Sequence, residues 1–222
     1  MYIRRFDNYM AAEKALLIEL LHMPQFITKN TNEVFMTGFV LKDPLNNRND
    51  HSDYMYAEEF FQWMMTGEIE LSDKLTEINP WVKRFTDRTG LPETFSSSYG
   101  WKIKAQRHIM QTELYMNKES RRAYINILQM SDQIILSTKT THEFPCTIGL
   151  HLLIRDEELH LIVNMRSNNV YSVMPYDVYL FTRFQQVMAE RLEVPMGMYH
   201  HQINSAHLYK GDVRRLKQTH NI

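Results

Sequence analysis

Cys146 is the one cysteine in a chain of 222 residues, and it stands in Pro145-Cys146-Thr147. A lone thiol is most often a small buried hydrophobe. It becomes a nucleophile where nearby cations favour the thiolate. Arg121, Arg122 and Arg166 are the candidates for that charge. Adjacent arginines are commonly a solvated pair. Their functional alternative is a phosphate clamp, because the guanidinium fork matches phosphate oxygens and keeps its charge. Ser167, beside Arg166, would add a hydroxyl donor. Asp177 follows Pro175-Tyr176 and suits a helix cap. It also suits base recognition. Cytosine offers an acceptor at N3 beside a donor at its amino group, and a carboxyl group holding one proton is the complement. Uracil presents the reverse pattern, which an amide would match. His207 and Tyr209, two apart on a strand, point the same way and suit either a packed pair or contact with a sugar hydroxyl. Glu58 and Glu59 are either a solvated helix edge or a source of general acid/base chemistry. The ten histidines show no metal-ligand spacing, so no metal site is expected.

These groups need a scaffold. The chain is 44% hydrophobic and 23% charged, with net charge −1, as in ordinary globular proteins. No global field recruits nucleic acid or an anionic membrane, so local arginines must hold any phosphate. No apolar run reaches the ~20 residues of a membrane span. The basic start at Arg4-Arg5 has no apolar segment behind it, and one cysteine fits a reducing compartment. A cytoplasmic protein is expected. There is no G-x-G-x-x-G or Walker loop, so a nucleotide site would be built from side chains. No repeat, linker or composition break appears, and residues 1–222 read as a single domain.

The spacing predicts a helix over 8–22, strands over 25–28 and 33–42, a polar loop over 43–52 and an apolar helix over 56–66 ending at Gly67. Helical structure is expected over 72–89, broken at Pro80, then a loop over 91–98 and a helix over 103–117. The second half reads as richer in strand, with short apolar runs over 123–129 and 133–137. A hairpin over 147–166 is the clearest element. Ile148, Leu150, Leu152 and Ile154 alternate, Asp156-Glu157 turns the chain, and Leu159, Leu161, Val163 and Met165 resume. His160, Asn164 and Arg166 share the other face of the return arm, a candidate binding surface. A helix over 176–192, a strand over 198–203 and a basic tail from 210 complete the reading.

Singly, each of these features favours its structural explanation; their order is distinctive. Tyr99-Gly100-Trp101, Ser120-Arg121-Arg122, Pro145-Cys146, Leu153-Ile154-Arg155-Asp156, Asn164-Met165-Arg166-Ser167-Asn168, Asp177 and His207-Leu208-Tyr209 resemble the thymidylate synthase superfamily, and most closely its phage deoxycytidylate hydroxymethylases. The likeness covers residues 56–210. It implies an α/β (α+β) fold, with one large mixed sheet, helices on one face, and two subunits packed sheet to sheet as a homodimer. It implies that Cys146 adds to C6 of a pyrimidine nucleoside monophosphate. Arg166, Ser167 and Asn168 would bind that nucleotide, and Arg121 and Arg122 would reach the phosphate across the dimer. His207 and Tyr209 would hold the sugar 3′-hydroxyl. Tyr99 would serve proton transfer at C5. Trp81 and Asn169 would lie at the site of 5,10-methylenetetrahydrofolate, the one-carbon co-substrate.

Thymidylate synthases have Asn where Asp177 stands, and the hydroxymethylases have Asp, in keeping with the hydrogen-bond argument for cytosine. The implied reaction converts dCMP to 5-hydroxymethyl-dCMP, for phage DNA or for a nucleoside product, with no direct contact to nucleic acid or membrane. The alternatives are a dCMP or CMP methyltransferase or hydroxymethylase variant, and a nucleotide-binding homologue without catalysis. Two positions depart from the family pattern. The family's catalytic glutamate lies three residues before a tryptophan; here Phe60 is three before Trp63 and Glu59 is one place earlier. One residue turns a helical side chain by ~100°, so Glu59 replaces that glutamate only if the helix is shifted. Asn169 stands where the family usually has an aspartate.

Overall fold

The computed structural model describes residues 4–86, 98–138 and 144–219. The chain runs β1 (Arg4–Phe6), α1 (Tyr9–His22), β2 (Phe26–Ile27), β3 (Thr31–Leu41), α2 (Tyr54–Thr66), α3 (Asp73–Ile78), a 3-10 turn (Pro80–Phe85), α4 (Tyr99–Met116), β4 (Tyr124–Asn126), α5 (Met130–Thr138), β5 (Thr147–Arg155), β6 (Glu158–Met165), β7 (Asn168–Asn169), α6 (Met174–Leu192), β8 (Met196–Tyr209) and α7 (Lys210–Thr219). The strands form one eight-stranded sheet in the order β1-β3-β8-β6-β5-β4, with β2 on β3 and β7 on β8. It is mixed: β1 lies parallel to β3 and β6 to β8, while β3–β8, β6–β5 and β5–β4 are antiparallel.

From Leu150 onward the hairpin follows its alternation; Ile148 is only partly buried, because the register shifts between Thr147 and Gly149. Leu150, Leu152, Ile154, Leu159, Leu161, Val163 and Met165 are all buried against the helices. At ~1.5–3 kcal/mol for each fully buried aliphatic side chain, this row is a main source of the stability of the sheet. Asp156 and Glu157 make the turn with φ of 50° and 62°. On the opposite face His151, Leu153, His160, Ile162, Asn164, His200 and Gln202 are only partly covered. His160 and Asn164 belong to that open face. Arg166 does not; it lies past the end of β6. The candidate surface of three residues is therefore not a unit, because the chain leaves the sheet plane after Met165.

Several boundaries move for identifiable reasons. The run at 133–137 is helical, as part of α5, not a strand. The Asp132 carboxylate docks that helix by accepting from the Gln129 amide at 2.7 Å and from Lys102 Nζ at 2.5 Å. β8 continues past Ile203 through Asn204 and Ser205 to Tyr209, because β3 and β7 flank it and supply backbone partners whatever the side chains. Its buried positions change from odd (Tyr199, His201, Ile203) to even (Ala206, Leu208) opposite Met36, whose φ is 52°. The tail folds as α7, and Val213 and Leu216 bury its apolar side. The polar loop at 43–52, α1, α2 and the break at Pro80 stand as expected. The expected loop at 91–98 lies outside the described residues except for Ser98.

α4 starts at Tyr99, ahead of the expected 103, so Tyr99-Gly100-Trp101 is its first turn. A glycine is needed there because α4 presses on α2: a Cβ on Gly100 would meet the Met64 carbonyl oxygen at 2.1 Å. Gly100→Ala should therefore destabilise the protein by ~1–3 kcal/mol despite the better helix propensity of alanine. A urea unfolding midpoint equal to or above that of the unmodified protein would refute this packing role.

Candidate active site

Where β5 begins and β6 ends, the chain opens a cavity of about 590 Å³, closed above by α2, the 3-10 turn and the first turn of α6. Cys146, Arg166, Ser167, Asn168, Asn169, Asp177, Tyr99, His207, Tyr209 and Trp81 all line it. They come from stretches far apart in sequence, and the sheet register brings them together. Cys146 precedes β5, and its carbonyl accepts from the Arg166 amide at 2.8 Å, which closes the hairpin. The Arg166 side chain then turns back over the same loop. Nε donates to the Pro145 carbonyl at 2.8 Å, and Nη2 donates to the Phe144 carbonyl at 2.9 Å and lies 3.7 Å from Cys146 Sγ. One guanidinium thus fixes the Cys146 loop and sets a positive charge beside the sulfur, where it stabilises negative charge.

Asp177 sits in the first turn of α6 and is 4% exposed. Burial penalises its charged form and pushes its pKa from 3.8 up to about 7, opposed by a hydrogen bond from Asn168 Nδ2 to its Oδ2 at 2.8 Å. Asn168 is held in turn by His201, whose Nε2 lies 2.9 Å from Asn168 Oδ1, while Tyr199 Oη lies 2.8 Å from His201 Nδ1. Burial pushes the His201 pKa down to about 3, so the ring is neutral. The sequence reading missed this pair. Its signal was present: Tyr199 and His201 share the buried side of a strand, where a histidine must be partnered.

The other side chains divide by task. Ser167 Oγ and His207 Nδ1 are 3.2 Å apart, and the His207 ring meets Tyr209 edge-on with centroids 5.2 Å apart. Tyr99 stacks on Phe181 with centroids 5.6 Å apart, and burial raises its pKa well above the ordinary 10.0. Asn169 Oδ1 accepts from the Tyr171 and Ser172 amides, both at 3.0 Å, so this asparagine shapes the turn into α6 as well as lining the cavity. Trp81 stands at the rim, 62% exposed, with the Arg84 guanidinium 3.5 Å above its ring. Tyr56, Phe60, Val82, Phe85 and Tyr176 form an apolar wall beside it.

Glu59 is not brought into the cavity, and Arg121 and Arg122, expected to act across a dimer, lie away from it. α2 is a regular helix, so the one-place offset stands. Phe60 faces the cavity, while Glu59 points away and pairs with Lys74. Arg121 and Arg122 are exposed next to β4, and Arg122 pairs with Glu113 at 2.8 Å. Asp177 is the only acidic side chain lining the cavity among the described residues. Also among the described residues, no cluster of His, Cys, Asp and Glu could hold a metal, and no helix is long and apolar enough to cross a membrane.

The large mixed sheet and its covering helices have the thymidylate synthase fold. Thermostable thymidylate synthase A from Bacillus subtilis superposes with a TM-score of 0.72, covering 95% of this chain and 83% of that one at 15% identity. The model of the thymidylate synthase family matches residues 41–221, and the chain belongs to that family. It is similar to the deoxyuridylate hydroxymethyltransferase of Delftia phage PhiW-14, at 27% identity over 86% of this chain and 59% of that protein. It is also similar to the deoxycytidylate 5-hydroxymethyltransferase of Enterobacteria phage T4, at 27% identity over 63% of this chain and 57% of that protein. The thymidylate synthase of Clostridium beijerinckii is 26% identical over 56% of this chain and 46% of that protein. The chain spans less than two thirds of the length of these relatives.

The buried carboxyl has a measurable signature. A folded-state pKa raised from 3.8 to about 7 means that stability is fully present below the lower value and is lost as pH rises through the upper one. Asp177→Asn should remove that loss. In melting scans from pH about 4 to about 7, the difference between the unmodified protein and the variant should grow in favour of the variant and level off above that range. A difference that does not change with pH would show that Asp177 does not titrate there.

Proposed function

We propose that the chain is a pyrimidine nucleotide C5 hydroxymethyltransferase acting on dCMP through a covalent adduct at C6. The observation that carries this reading is the buried Asp177, whose pKa burial raises to about 7, in the same cavity as the Cys146–Arg166 pair. A protonated carboxyl donates to N3 of cytosine and accepts from its amino group. The sulfur, with the Arg166 guanidinium beside it, adds to C6, and C5 thereby gains carbanion character. Ser167 and Arg166 suit the phosphate, and His207 and Tyr209 suit the sugar hydroxyl. Tyr99, held as the neutral phenol by burial, suits holding or moving a proton near C5. Arg121 and Arg122, exposed beside the open sheet face, suit a partner's phosphate in a homodimer packed sheet to sheet.

The aromatic wall around Trp81, Phe60 and Tyr176 fits a flat heterocycle such as that of 5,10-methylenetetrahydrofolate, which would supply the one-carbon unit. Water completing the transfer gives the hydroxymethyl product; hydride would give the methyl product. Phe60 in the cavity and Glu59 outside it support a second reading, a homologue that binds the nucleotide without turnover.

The test uses dCMP labelled with tritium at C5, with and without methylenetetrahydrofolate, followed by mass spectrometry of the nucleotide. Tritium release, loss of that release in Cys146→Ser, and a hydroxymethylated product are expected. A folded protein that binds dCMP but neither releases tritium nor changes its mass would support the second reading. Failure to bind dCMP would overturn both. A preference that stays on cytosine nucleotides in Asp177→Asn would overturn the role given to Asp177.

A further inference from the structure

Asp177 does not choose its own proton position. Its Oδ2 faces Asn168, whose other amide atom faces His201, whose other ring nitrogen faces Tyr199. All four residues are 4% exposed or less, so water does not relieve a mismatch. The His201 ring is also fixed in plane, stacked on Phe39 with centroids 5.3 Å apart. Such a row has two self-consistent polarities. In the first, Tyr199 donates to Nδ1, Nε2–H donates to Asn168 Oδ1, and Asn168 Nδ2 donates to Asp177 Oδ2. Any proton on Asp177 then sits on Oδ1, the oxygen left for a ligand. In the second, every bond reverses, Asp177 Oδ2 carries the proton inward, and Oδ1 can only accept. The first presents a donor to N3 of cytosine; the second presents an acceptor to the N3–H of uracil. The orientation of the Asn168 amide in the structure is the first. It is also the polarity that an ionised carboxylate tolerates, since it has no proton to give.

We infer that Tyr199 and His201 are positioning residues that set base choice, by holding Asn168 in the orientation that keeps the Asp177 proton on its ligand-facing oxygen. The inference deepens the dCMP reading and rests on it. His201→Met removes the donor to Asn168. His201→Gln keeps an N–H at the same reach. Tyr199→Phe removes only the hydroxyl and preserves the packing if the histidine variants fold poorly.

Dissociation constants for dCMP and dUMP, measured by calorimetry, give the ratio to follow. His201→Met should lower the preference for dCMP about tenfold, the effect of leaving one buried polar group unpaired. Tyr199→Phe should lower it less, and His201→Gln should retain it. A purely structural role would weaken both nucleotides equally and leave the ratio unchanged, and that result overturns the inference. So does nitrogen NMR showing His201 protonated on Nδ1 instead of Nε2. An unmodified protein that binds dUMP as well as dCMP would overturn the base assignment itself. A protein that prefers dCMP while His201→Met keeps the full ratio would overturn only the relay.

Discussion

A carboxyl group taken out of water must surrender its charge or find partners, and Asp177 is placed at that limit. It lies under the first turn of α6 with one oxygen bonded to Asn168 and the other turned to the cavity. Satisfying it requires a polar row that crosses from α6 to β7 to β8 without touching solvent. That row in turn requires β8 to run beneath α6 in full extension, with Tyr199 and His201 on its buried side. The same strand must then change phase so that His207 and Tyr209 reach the cavity further along. The length of β8, the short β7 beside it and the strained Met36 opposite its phase change are the backbone conditions for one buried acid.

Arg166 imposes the second condition. Two backbone carbonyls and the Cys146 sulfur share its donors. The guanidinium therefore orders the loop that carries Cys146 and sets its charge beside the sulfur. This coupling depends on the β5–β6 register, which sets Thr147 opposite Met165 and so puts Cys146 and Arg166 at the same end of the hairpin. By contrast, the α2 wall carries no such polar constraint. Phe60 packs edge-on with Tyr56 and Trp63, at centroid distances of 5.8 and 5.4 Å, and the charge of Glu59 is spent on Lys74. The cavity is polar where the sheet builds it and apolar where α2 and the 3-10 turn close it.

Much of this was legible in the chain. The hairpin announced itself because its buried side repeats every second residue with one residue type. Cys146, Arg166, Asp177, His207 and Tyr209 were named from chemistry and order, and the structure brings them to one cavity. α5 was not legible, because three apolar residues in a row have no period to read, and its docking depends on Lys102 of α4 reaching its buried Asp132. The middle of β8 was not legible either: Asn204 and Ser205 lie past the strand read over 198–203, and only flanking strands carry the strand through them to His207 and Tyr209. His201 was visible as a letter but not as a partner, since its role depends on Asn168 arriving from another strand.

The sequence alone determined which chemical groups are present, the alternation that makes the sheet, and the order along α2 that turns Phe60 and Glu59 to different sides. Those are local properties, set by residue type and by the geometry of a turn of helix or a step of strand. The tertiary structure decided which groups meet. It seated Arg166 on the cysteine loop, left Arg121 and Arg122 outside, and joined Tyr199, His201, Asn168 and Asp177 into one row. Desolvation and hydrogen-bond polarity act through space, over residues separated by whole elements, and only the folded sheet brings those distances within reach.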